Sequence, residues 1–132
     1  MKTFFCTTIL LLSTVLSFGQ IKSTLPNMDK LTNTIVRAAI TALQDADSED
    51  WFALFSEDAV LYDDGKKVEF REFFENALGH ERFTSIDKVE NDGLDVYGRF
   101  HSDKWGDFKT YFKFQINSED KITRLDIGQV NY

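Results

Sequence analysis

From residue 83 to residue 130 the chain alternates with a period of two, broken only by short turn signals. This constrains the fold most, because such alternation places side chains on opposite faces of a sheet and leaves one face to be covered. Residues 83–90 and 94–101 are separated by Asn91-Asp92-Gly93, a hairpin signal. Residues 108–116 set Phe108, Thr110, Phe112, Phe114 and Ile116 on one face and Lys109, Tyr111, Lys113 and Gln115 on the other. A turn at 117–120 leads to a last strand at 122–130, where Leu125 and Ile127 face one way and Arg124 and Asp126 the other. An antiparallel meander of this kind needs an apolar cover.

The preceding segment supplies it. Residues 28–46 carry Leu31, Ile35, Ala38, Ala39, Ala42 and Ala46 at three- and four-residue steps, widened by Val36, Ile40 and Leu43. This spacing predicts a long amphipathic helix. Asp47 or Ser48 is placed to cap a second helix, with Glu49 and Asp50 at its positive end and Trp51, Leu54 and Phe55 on its buried side. A short strand is expected at 59–62, then a tight loop at Asp63-Asp64-Gly65. A third helix is expected at 68–78, with Phe70, Phe73, Phe74, Ala77 and Leu78 in phase and Gly79 ending it. The fold class is therefore α+β: three N-terminal helices packed on a strongly curved, mostly antiparallel sheet, forming a cone with a central pocket.

Residues 1–19 read as a secretory signal peptide. Lys2 precedes an apolar run too short to span a bilayer, and Ser17-Phe18-Gly19 offers small residues before Gln20. The only Cys, Cys6, lies inside that run, so neither a lipid anchor nor a disulfide is expected. The product would be periplasmic or secreted. Residues 20–27, with the sole proline Pro26, form a flexible lead-in to one domain at 28–132. The formal charge of −7 argues against nucleic acid and anionic membrane as partners. The spacing of His80 and His101, with no other His or Cys near them, gives no metal signature, and no cofactor is implied.

The segment at 42–65, ALQDADSEDWFALFSEDAVLYDDG, the aromatic third helix and the closing DKITRLDIGQ resemble the nuclear transport factor 2-like superfamily. That group includes SnoaL-like polyketide cyclases and ketosteroid isomerases, and the resemblance spans residues 28–132. It implies a cone fold with Asp63 at the pocket mouth, where ketosteroid isomerase keeps its proton-shuttling carboxylate. On the same spacing that enzyme's two oxyanion donors fall on Ala39 and Phe112, neither of which can donate. Steroid isomerase chemistry is therefore not expected.

The candidate catalytic residues are Asp63, as a general base raised by desolvation, and His80 in the loop after the third helix. The candidate pocket comprises Trp51, Phe55, Tyr62, Phe73, Phe74, Phe112, Phe114, Leu125, Ile127 and Gln129. Trp105-Gly106 in a hairpin turn reads as a lid or a surface contact, and His101 as solvent-facing. Tyr97, Arg99, Tyr111 and Lys113 alternate onto the outer sheet face, which suits a homodimer as well as plain exposure. Binding of a small apolar molecule without catalysis is the leading expectation. A cofactor-independent lyase, isomerase or hydrolase using Asp63, and an interaction module using the outer face, are the alternatives.

Overall fold

A computed structural model describes residues 25–132. The segment read as a signal peptide lies outside the described residues. The expected first helix is split. A 3-10 turn at Met28–Lys30 is followed by extended backbone at Leu31, and helix α1 runs from Thr34–Gln44. Asn33 sets this start, since its side chain accepts from the backbone N–H groups of Ile35 and Val36 at 2.9 and 3.0 Å. The buried face of α1 is Val36, Ala39, Ile40, Ala42 and Leu43, which leaves Ala38 and Ala46 exposed. Helix α2 spans Ser48–Ala53, capped by Asp47 through the N–H of Asp50 at 3.0 Å.

Strand β1 runs Phe55–Asp63, four residues earlier than alternation suggests. Phe55 is therefore a strand residue, not part of the second helix. The reason is tertiary: Phe55 pairs with Ile122 and Val60 with Arg124, and the Ser56-Glu57-Asp58 stretch between them is an irregularity in the ladder. Asp64 and Gly65, with φ of 51° and 82°, turn the chain into a short strand β2 at Lys66–Val68. Two positive φ values in a two-residue connection are what a twisted hairpin requires, and Asp-Gly supplies them. Helix α3 consequently begins later than expected, at Phe70–Ala77, with Glu69 capping the N–H of Glu72 at 2.8 Å.

The meander follows as β3 Glu81–Glu90, β4 Asp95–Ser102, β5 Gly106–Ile116 and β6 Ile122–Gln129. The six strands form one sheet in the order β2-β1-β6-β5-β4-β3, antiparallel throughout except where β1 runs parallel to β6. All three helices precede β3, but the β1–β2 hairpin separates the third from the first two. The core lies between helices and sheet. Val36, Ile40, Leu43, Trp51 and Phe74 from the helices join Leu61, Phe83, Ile86, Val96, Phe112, Phe114, Ile122 and Leu125 from the strands, all at most 2% exposed. No helix among the described residues is long and apolar enough to cross a membrane.

Candidate functional site

At the end of the sheet where β1 and β6 finish and β3 begins, the core does not close. A cavity of about 450 Å³ remains, with the largely exposed Trp105 among its lining residues. Its walls are built from Leu43 of α1, Phe73 and Phe74 of α3, Phe100 of β4, and Phe108, Thr110 and Phe112 of β5. Ile127, Gly128 and Gln129 of β6 complete the lining with Asp63, Asp64, Glu81 and Trp105. The rings touch one another around it: Phe100 meets Phe108 and Phe112 at centroid separations of 5.7 and 5.5 Å, and Phe73 meets Phe74 at 5.0 Å.

Register explains why Asp63 is there. Leu61 pairs with Leu125 and Asp63 with Ile127, so Asp63 is on the same face as the buried Leu61. Tyr62 pairs with Asp126 on the opposite face, where Arg124 lies 4.0 Å from its ring centroid. It is an outer-face residue and does not line the cavity. Asp64 is held differently. Its carboxylate accepts from the backbone N–H of Gln129 at 3.0 Å, and its own N–H donates to the carbonyl of Ile127 at 2.8 Å. Gly128 makes room for this, since a Cβ there would strike the Asp64 carboxylate and the Tyr111 phenol.

A second carboxylate faces the cavity from β3. Glu81 pairs with Ser102, whose buried hydroxyl donates to Glu81 Oε2 at 3.0 Å. The same hydroxyl accepts from the backbone N–H groups of Lys104 and Trp105 at 3.2 and 3.1 Å, so it ties the Trp105 turn to Glu81. Burial raises the pKa of both acids. For Asp63 the neighbouring Asp64 charge adds to the rise, and for Glu81 the Ser102 hydrogen bond opposes it while Asp63 and Asp103 reinforce it. The lining contains three carboxylates and no Lys, Arg or His side chain.

Of the residues anticipated from sequence, Asp63, Phe73, Phe74, Phe112, Ile127 and Gln129 line this cavity. Trp51, Phe55, Phe114 and Leu125 are packed in the core away from its wall. Glu81, Phe100 and Phe108 were not anticipated. The signal for Glu81 was its phase: it precedes the inward-facing Phe83 by two residues on one strand. His80 lies outside this cavity and borders an adjoining hollow with Asn76, Asp103 and Lys104, on the far side of Phe73 and Trp105. His101 is on the outer face of β4, as expected, with its side chain partly exposed. Its two ring nitrogens contact Asp107 at 2.7 Å and Asp103 at 2.9 Å, while His80 Nδ1 contacts the other oxygen of Asp103 at 3.1 Å. Hydrogen bonds to Asp107 and then Asp103 hold the His101 pKa above its ordinary value. Among the described residues no group of three or more His, Cys, Asp or Glu is arranged to hold a metal ion.

No protein-family model matches the chain, and no curated protein matches it in sequence. Solved structures do. A nuclear transport factor 2-like protein of unknown function from Cytophaga hutchinsonii is 14% identical, with a TM-score of 0.58 over 81% of this chain and 92% of the other. The chain has the nuclear transport factor 2-like fold. A proposed polyketide cyclase from Sinorhizobium meliloti shares this fold at 19% identity, with a TM-score of 0.59 over 72% of this chain and 94% of that one. The Anabaena (Nostoc) orange carotenoid protein, in a structure binding canthaxanthin, shares it at 18% identity and a TM-score of 0.61, over 86% of this chain and 40% of the other. At such identities the likeness concerns the fold alone.

Proposed function

We propose that this nuclear transport factor 2-like domain binds a small, largely apolar molecule in the cavity between α3 and the sheet. The observation that carries this reading is the 450 Å³ space itself, walled mainly by aromatic rings and edged by a few polar groups. That is the usual make-up of a small-molecule site, and the volume lies within its usual range. On this proposal a ligand enters beside the largely exposed Trp105, which is among the cavity's lining residues. In this reading residues 1–19 direct export to the periplasm or beyond, residues 28–132 form the binding domain, and two copies associate through the outer sheet face. On that face Tyr97 and Tyr111 are half-buried and Arg99 and Lys113 exposed, and Tyr132 packs edge-on against Tyr97 at 6.0 Å.

Catalysis is the second reading, favoured by one observation: Asp63 and Glu81 face the same cavity, each biased toward holding a proton. Such a pair serves as base and acid for a cofactor-independent lyase, isomerase or hydrolase. Binding is preferred because the lining offers few groups to stabilise a developing oxyanion. The Thr110 hydroxyl already donates to the carbonyl of Gly128 at 2.7 Å, which leaves the Gln129 amide and the Trp105 indole.

Native mass spectrometry of the protein purified from its source tests the binding reading and reports the oligomer in the same spectrum. The expected result is an added mass released by denaturation, together with uptake of the neutral dye Nile red that Ile127→Trp abolishes by filling the cavity. A bare chain that takes up no Nile red overturns the reading.

A further inference from the structure

The cavity combines two features whose chemistries converge. Its walls present the rings of Phe73, Phe100, Phe108 and Phe112, and its rim presents the carboxylates of Asp63 and Glu81 with no cationic side chain among the lining residues. Lys104, which stacks on the Trp105 ring at 5.2 Å, borders the adjoining hollow instead. Building on the binding reading above, we propose that the ligand is a hydrophobic amine, its protonated nitrogen lodged between Asp63 and Glu81 and its hydrocarbon body against the phenylalanine rings.

Three physical arguments select this class. Aromatic faces attract ammonium groups through the ring quadrupole, and that attraction grows where water is excluded. A cation between two partly buried carboxylates relieves their mutual repulsion and replaces the hydration each has lost. An anionic ligand meets the reverse situation, because it would bring a further negative charge to a rim of three carboxylates on a chain of formal charge −7. Glu81 is also pre-oriented. The Ser102 hydroxyl fixes one of its oxygens at 3.0 Å and leaves the other free to face a ligand. Asp63 is the less restrained of the two, having no hydrogen-bonded side-chain partner among the described residues.

The test uses three ligands of one shape: 4-phenylbutylamine, 4-phenylbutan-1-ol and 4-phenylbutyrate, titrated calorimetrically at pH 7 in physiological salt. The expected order is amine tighter than alcohol by at least tenfold, with the carboxylate weakest. The Asp63→Asn/Glu81→Gln double variant should bring the amine to the level of the alcohol while leaving the alcohol unchanged. Gln at position 81 still accepts from Ser102, and circular dichroism checks that the variant is folded; Asp63→Asn alone should lower the amine preference in part. Equal removal of charge at the other end of the sheet, by Glu57→Gln/Glu119→Gln, should leave the preference intact. If the alcohol binds as well as the amine, or if the distant variant erases the preference equally, the amine proposal falls and the apolar binding site stands. If none of the three ligands binds, the proposal falls, and Nile red uptake then decides whether the binding reading falls with it.

Discussion

The two ends of the space between helices and sheet are built from the same kind of residue and reach opposite outcomes. At the closed end Trp51 packs on Phe55 and Phe74 at centroid separations of 4.9 and 4.6 Å, and Phe70 adds contacts to Phe55 at 4.5 Å and Phe74 at 5.5 Å. The rings tile against one another and Trp51 is wholly buried. At the open end Phe100, Phe108 and Phe112 also touch, yet no side chain fills the space beside them. The difference lies in what approaches from the helix side. Helix α2 delivers a large indole into the closed end, whereas the open end receives only Leu43 and the edge of α3. Aromatic content alone is therefore no guide to a cavity; the side chain supplied by the opposing layer decides it.

The largest expected effect separates the two ends by stability. Trp51→Ala should cost about 3–5 kcal/mol, because it removes a fully buried ring from a close-packed cluster. Phe108→Ala, at a half-buried position on the cavity wall, should cost only about 1–2 kcal/mol while weakening Nile red uptake. Urea denaturation of both variants measures the contrast. Trp51→Phe is an internal control. The Trp51 indole N–H is buried with no hydrogen-bond partner, so its loss removes an unsatisfied donor and partly offsets the lost contacts. If Phe108→Ala is as costly as Trp51→Ala, the open end is core and the comparison collapses.

How far the two ends can be read from sequence also differs. The meander was legible because period-two alternation survives in β4, β5 and β6, whereas the inward placement of Asp63 on β1 was implied only by the family resemblance. The early start of β1 was not legible. Ser56-Glu57-Asp58 has turn chemistry, and only the long-range pairing of Phe55 with Ile122 makes it a strand. Strand β2 was missed for a similar reason: Lys66-Lys67-Val68 is too short to show a period, and the Asp64-Gly65 hairpin turn was its one local sign. At the site, Trp51 and Phe55 are the same kind of ring as the cavity wall, and sequence alone does not separate a ring that tiles in the core from one that lines a space. Glu81 precedes the alternation expected from residue 83, and only the earlier start of β3 puts it in phase with the inward Phe83.

A smaller effect tests the electrostatics of the open end. The folded-state pKa of Asp63 and of Glu81 is raised, mainly by burial. For an acid raised on folding, the ionised form is disfavoured in the native state. Its penalty is present at neutral pH and disappears as pH falls through the folded pKa toward the unfolded value. Asp63→Asn and Glu81→Gln should therefore each raise Tm at pH 7, by no more than about 3 °C once solvent screening of half-exposed groups is allowed for. The gain should vanish below about pH 4, near the ordinary carboxylate range. A differential scanning calorimetry series over pH measures it, and a loss of Tm at pH 7 would show that these carboxylates stabilise the fold.

The smallest effect concerns the turn that carries Trp105. Asp103 bridges His80 and His101, and Asp107 holds the second nitrogen of His101, so both ring nitrogens of His101 donate when it is protonated. The His101 pKa is raised by these two bonds. A His raised on folding contributes stability fully below its unfolded pKa, about 6.5, and that contribution is lost as pH climbs through the folded value. Arg82 opposes protonation weakly from β3, and Asp103, held low by the two histidines, remains ionised throughout this window. The turn should thus be most firmly tethered in mild acid. Acrylamide quenching reads this selectively, since Trp105 is 70% exposed and Trp51 fully buried. Quenching of Trp105 should increase modestly, by less than about twofold, from pH 6 to pH 9, and His101→Gln should flatten that rise because its amide cannot gain the charge. The closed end should show no such dependence, as Trp51 packs among rings and has no hydrogen-bonded titratable partner among the described residues. A pH response that survives His101→Gln would place the switch elsewhere and leave the two ends distinguished by packing alone.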